Sequence, residues 1–165
     1  MSLSKSIVEE DKKTADAKAA YATLCAMLDE KKWRYKKDEE KLNISCSYVG
    51  DDLTEDIRMH INAEMQIVTL YSELPFTVLE EDRVAVAMAV SVVNYALVDG
   101  SFDFSLATGR IVFRLTSSYR ESLISKEMCK YMLEVSCTTV DEYNDKLFMV
   151  SKKAMSLQDL LKSLE

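Results

Sequence analysis

The chain has 165 residues, 48% of them apolar, which fits one domain of ordinary size with a continuous core. Its net charge of −7 works against general binding to nucleic-acid phosphates or to anionic membrane surfaces. One proline and three glycines argue for long regular elements and against disorder.

The segment MSLSKSIVEEDKK has no apolar stretch of the kind a secretion signal carries. Residues 1–12 read as a polar leader, and cytoplasm is the expected location. From about Thr14 the pattern becomes helical. Ala17, Ala20, Tyr21, Leu24 and Leu28 fall on one stripe, and the helix is expected to end near Lys31 or Lys32, where cations suit the negative end of its dipole.

Strand patterns follow. Trp33 and Tyr35 alternate with Arg34 and Lys36. After the charged turn 37–40, Leu42, Ile44, Cys46 and Tyr48 alternate with Asn43, Ser45 and Ser47, a half-buried strand of period two. Gly50-Asp51 supplies a turn. Ile57, Met59 and Ile61 then alternate with Asp56, Arg58 and His60, and a more apolar strand is expected from Met65 to Leu74. These four strands form an antiparallel meander with one wet face.

Pro75 is expected to end the fourth strand. Thr77 and Glu80 have capping-box spacing, with Glu80, Glu81 and Asp82 in the first turn. The run VAVAMAVSVVNYALV, residues 84–98, then reads as the body of a helix over about 78–98, ended by Asp99-Gly100. It is apolar almost all the way round, so more than one side must be covered.

Phe102, Phe104 and Leu106 alternate on a fifth strand. Thr108-Gly109 turns the chain, and Ile111, Phe113 and Leu115 return on a sixth. Ser125 caps a long final helix with Met128, Met132, Val135, Tyr143, Leu147 and Val150 expected inward. A short amphipathic helix follows a break near Ser156, its stripe formed by Leu157, Leu160, Leu161 and Leu164. The whole reads as a single α+β domain over 1–165, an antiparallel sheet with helices packed on it in the order α-β-β-β-β-α-β-β-α.

The segment from Pro75 to Leu115 resembles the YbjN family of bacterial proteins, labelled sensory transduction regulators. The resemblance rests on Pro75 before a helix, Arg83, Asn94, Asp99-Gly100-Ser101-Phe102 and the hairpin Phe104 to Arg114. Trp33 with Tyr35 and Asp141-Glu142-Tyr143 add to it. It implies a fold like that of type III secretion chaperones, which commonly dimerise through a helix or sheet face. It implies a binding or regulatory module and brings no catalytic residues. This chain has Lys32 where the family often has a glycine before the tryptophan.

Candidate chemistry is sparse. The cysteines at 25, 46, 129 and 137 form no CxxC pair, and one histidine completes no zinc set. They read as buried free thiols of a reducing compartment. A Cys46 nucleophile with His60 as base fails on parity, since the two face opposite sides of the sheet. Asp51, Asp52, Glu55 and Asp56, and the pair Asp141 and Asp145, lack the spacing of a shaped cation loop and read as turn and solvated charges.

KKWRYKK, residues 31–37, mixes cations and aromatics as single-strand binders do. Trp33 and Tyr35 share one strand face, however, with the cations on the other, so an edge strand explains the mixture. Glu80, Glu81 and Asp82 suit a helix start better than acid–base work. No glycine-rich phosphate loop and no Ser-His-Asp set is readable.

The expectation is therefore a non-enzymatic module with no cofactor or metal, an adaptor, chaperone-like or regulatory protein that binds a protein segment or a second copy of itself. Neither nucleic acid nor membrane is an expected partner. The expected surface comprises Val84, Met88, Val92, Tyr95, Leu157, Leu160, Leu161 and Leu164, because one sheet cannot shelter every apolar line of the 84–98 helix. The alternative is a small-molecule sensor with a pocket between helix and sheet.

Overall fold

Helix α1 spans Leu3–Glu30, so the expected leader is helical from Leu3 onward. That stretch contains no glycine or proline, and a helix nucleated on the apolar stripe propagates back through residues that tolerate it. The computed structural model describes residues 3–51 and 53–164. All five stripe residues, from Ala17 to Leu28, are buried. The helix ends in a Schellman turn: the Trp33 N–H donates to the Leu28 carbonyl at 3.0 Å and the Lys32 N–H to that of Asp29 at 3.0 Å. Lys32 sits at φ 58°, the left-handed region where a β-carbon costs roughly 1 to 2 kcal/mol.

Six strands, β1 (Tyr35–Asp38), β2 (Asn43–Val49), β3 (Thr54–Asn62), β4 (Ile67–Thr77), β5 (Ser101–Phe104) and β6 (Arg110–Ser118), form one antiparallel sheet in the order β1-β2-β3-β4-β6-β5. Both edges are four-residue strands, too short to template much further pairing. Strand parity decides the layers. Ile44, Cys46, Ile57, Met59, Ile61, Ile111, Phe113 and Leu115 point inward and are buried. Helices α2 (Arg83–Ala96), α3 (Lys126–Ser151) and α4 (Leu157–Lys162) complete an α+β domain in two layers. The helical layer lies on the inner face, where α1, α2 and α3 meet the sheet and α4 buries Leu160. The other face is polar. One cross-strand row runs Lys36, Ser45, Arg58, Tyr71, Arg114, Ser101.

Several local expectations are corrected. Strand β4 does not stop at Pro75 but continues to Thr77 through an irregularity between Glu73 and Thr77. Proline has no N–H for the ladder, and an interruption in pairing accommodates it. Thr77 and Glu80 form no capping box. A 3₁₀ turn, Glu80–Asp82, intervenes, and α2 starts at Arg83 with no side-chain cap from Asp82. The apolar helix is thus shorter than expected and ends at Ala96, with Leu97 already extended. Gly100, at φ 74°, turns the chain into β5, where the Phe113 ring leaves no room for a β-carbon. Met128 is exposed in the first turn of α3, where the core has not yet closed over the helix. Ser125 does cap α3, accepting from the Met128 N–H at 3.1 Å.

Candidate functional site

The outward surface of α2 is the most apolar feature that the helical layer leaves uncovered. Its position is fixed at several points. The Arg83 guanidinium donates to the Leu106 and Ala107 carbonyls, both at 3.0 Å. Asn94 grips β5 with both ends of its amide: Nδ2 donates to the Phe102 carbonyl at 3.0 Å, and Oδ1 accepts the Phe102 N–H at 2.8 Å. The two residues strap the β5–β6 hairpin onto α2. On the other side, Lys153 pairs with Asp82 at 3.0 Å and Glu81 at 3.5 Å, and the Tyr131 hydroxyl donates to Asp99. Tyr143 of α3 packs edge-on against Phe102.

Held this way, α2 divides its apolar residues by helical period. Val86, Ala89, Val90 and Val93 are buried, while Val84 is 70% exposed, Met88 55% and Tyr95 95%. Val98, just past the helix, is 98% exposed. No side chain from Val84 to Val98 is charged. Val92 is half-buried on the flank. α4 packs beside α2, capped by Ser156, whose hydroxyl accepts the Asp159 N–H at 3.1 Å.

Leu160 corrects the expected surface: it is wholly buried, because α4 inserts it into the core as its anchor. Leu157 and Leu164 are half-buried against that core. Leu161, one residue on from Leu160, is 49% exposed. The structure therefore brings Val84, Met88 and Tyr95 onto one outward line, and removes Leu160 from it.

The other candidates separate. Cys46 lies inward, whereas His60 stands on the polar face, its Nδ1 2.7 Å from Asn43 Oδ1. All four cysteines are free and buried. Burial pushes the Cys46 and Cys137 thiols up to about 12 and Cys129 to about 11, so they stay protonated and poorly nucleophilic at neutral pH. Among the described residues no group of three or more His, Cys, Asp or Glu side chains is placed to hold a metal ion.

In the 31–37 segment Trp33 stacks on Tyr48 with ring centres 6.1 Å apart, and the Tyr35 hydroxyl donates to Asp29 at 2.8 Å. Lys37 does not share the outer face with Lys36. It lies 5.4 Å from the Tyr35 ring centre, as two-residue spacing requires.

The acidic cluster of the β2–β3 turn holds a second correction. Asp56 is exposed and accepts from Ser47, and Asp52 lies outside the described residues. Glu55, read as a solvated charge, is wholly buried. The signal was available: Glu55 has the parity of Ile57, Met59 and Ile61, and the strand simply begins earlier than the apolar alternation.

Besides a cavity of about 1080 Å³ near Tyr35, Asp56 and Phe76, two others border candidate residues. One of about 850 Å³ lies on the polar sheet face beside Arg58, His60, Tyr71 and Arg110. There Glu73 pairs with both Arg58, at 3.3 Å, and Arg110. The other, about 890 Å³, lies between α1 and the β1–β2 turn beside Tyr21, Cys25, Asp29, Lys37 and Leu42.

The architecture defines a class: a helical layer on one side of a six-stranded antiparallel sheet, with the sheet's other side open. No protein-family model matches the sequence, and no curated protein matches it. Among solved structures the chain is similar to the crystal structure of YbjN from E. coli, described provisionally as a transcription regulator. The two align with a TM-score of 0.55 and 12% identity, over 76% of this chain and 92% of that one. The chain therefore has a YbjN-like fold.

Proposed function

We propose that this chain is a non-enzymatic regulatory module that associates with protein through the outward line of α2, with a second copy of itself as the first partner. The reading is carried by one observation: Val84, Met88 and Tyr95 stand uncovered on α2 while Val86, Ala89, Val90 and Val93 of the same helix are buried. Contiguous apolar surface of this kind marks an interface. The absence of charge between Val84 and Val98 supports a second copy in particular. Two acidic chains can meet there without setting like charges against each other.

The buried protonated thiols and the separation of Cys46 from His60 support a binding role over catalysis. Four free cysteines suit a reducing compartment, and no described helix is long and apolar enough to cross a membrane. The provisional naming of YbjN as a regulator points the same way. The groove between α1 and the β1–β2 turn favours the sensor alternative.

Light scattering on the purified chain tests the reading. A dimer that Met88→Asp converts to a folded monomer supports it. A native chain that is monomeric at every concentration removes the second copy from the proposal.

A further inference from the structure

Glu55 opens β3 from the inner side of the sheet, with no exposed surface. One carboxyl oxygen accepts from the Ser72 hydroxyl of β4 at 3.0 Å, and the other has no partner. The groups around it are acids. Tyr48 stands directly opposite on β2, with Cys46 two residues back on the same inner face. Asp51 lies in the adjoining turn. Cys137 and Asp141 face it from α3, close enough for each to share its electrostatics. Among the described residues no cation pairs with Glu55 or Asp141.

The same place joins the turn to the helix. The Asp51 N–H donates to Asp141 Oδ1 at 2.9 Å. Gly50 lies so close that an added β-carbon would fall 2.3 Å from that oxygen. On α3, Asn144 Oδ1 is likewise buried without a partner.

We propose that Glu55 is a pH-sensitive latch: protonated, it lets α3 seat on the β2–β3 turn; ionised, it opens that contact by setting a second carboxylate against Asp141. A neutral carboxyl with one free oxygen is a modest burden in a core, whereas an uncompensated carboxylate there is a large one. Loss of the proton to solvent is the whole chemical step.

Burial, chiefly, and the Asp141 charge push the carboxyl from 4.5 up to about 7, against the lowering effect of Ser72. The sign follows from linkage. A raised acid holds its proton in the closed state after the open state has released it. The stabilising contribution is therefore complete below about 4.5, declines between there and about 7, and is gone above. Opening should rise about tenfold per pH unit across that window and then level off.

Cys137, buried beneath the latch, reports the opening. Thiol labelling of the full-length chain would be read at Cys137 by mass spectrometry and divided by the rate for Glu55→Gln at the same pH, which cancels thiolate chemistry. The ratio is expected to climb from pH 4.5 to 7 and then plateau. A ratio that does not change with pH overturns the proposal. Carboxyl NMR of the native chain and of Asp141→Asn provides a second check. A Glu55 midpoint near 7, moved down by Asp141→Asn, supports the latch; a midpoint near 4.5 overturns it.

Discussion

The two long lines of α2 are built from nearly the same residues and have opposite fates. Val86, Val90 and Val93 are sealed against the sheet and α3, while Val84 and Met88 stand in solvent with Tyr95. Composition does not separate them, since both lines are apolar and uncharged. What separates them is the direction the helix is made to face, and the side chains that set that direction, Arg83 and Asn94, are polar. The sheet, α3 and α4 cover one side of α2, and among the described residues nothing covers Val84, Met88 and Tyr95.

The sharpest break in this comparison is a charge on the inner line. Val93→Asp places a carboxylate where there is no solvent exposure and no cation. It should destabilise the fold by more than about 4 kcal/mol, seen as loss of a cooperative urea transition. Neighbouring leucines of α4 give a milder version. Leu160→Ala should cost about 2–5 kcal/mol because Leu160 is wholly buried. Leu161→Ala, half out in solvent, should change the free energy of urea unfolding by less than about 0.5 kcal/mol. Equal effects at 160 and 161 would mean that α4 is not seated as described.

Asn94 tests what orients the helix. Truncation to alanine leaves the Phe102 N–H and carbonyl without the partners they have at 2.8 and 3.0 Å. A loss of about 1–3 kcal/mol is expected, together with faster amide exchange in β5, a short edge strand. If β5 exchange is unchanged, Arg83 alone holds the hairpin.

Much of this arrangement could be read before any coordinates, wherever one physical pattern acted alone. The Ala17–Leu28 stripe, the alternation through Ile44 and Ile57, and the Ser125 cap each depend on local spacing, and the structure keeps them. Sequence and structure part where tertiary context decides. A ladder cannot use Pro75, yet an irregular pairing with β6 carries β4 past it. Thr77 has capping-box spacing from Glu80, but a 3₁₀ turn leads into α2 instead. Leu160 and Leu161 have the same chemistry, and only packing tells them apart. Glu55 has the inward parity of Ile57 and is buried, although an acid beside a turn is usually solvated.

The smallest effect on stability belongs to the outer line, and it carries the most information about function. Met88→Asp changes a side chain that is 55% exposed. The free energy of urea unfolding should therefore change by no more than about 0.5 kcal/mol. Any partner seated on that line would have to bury the new carboxylate without a cation from α2, since the helix offers none between Val84 and Val98. Two copies meeting there would each bring one, so the penalty doubles in a symmetric pair. Association measured by light scattering should be lost while the monomer stays folded. Should Met88→Asp leave both the monomer's stability and the assembly untouched, the outward line is ordinary solvent-facing surface.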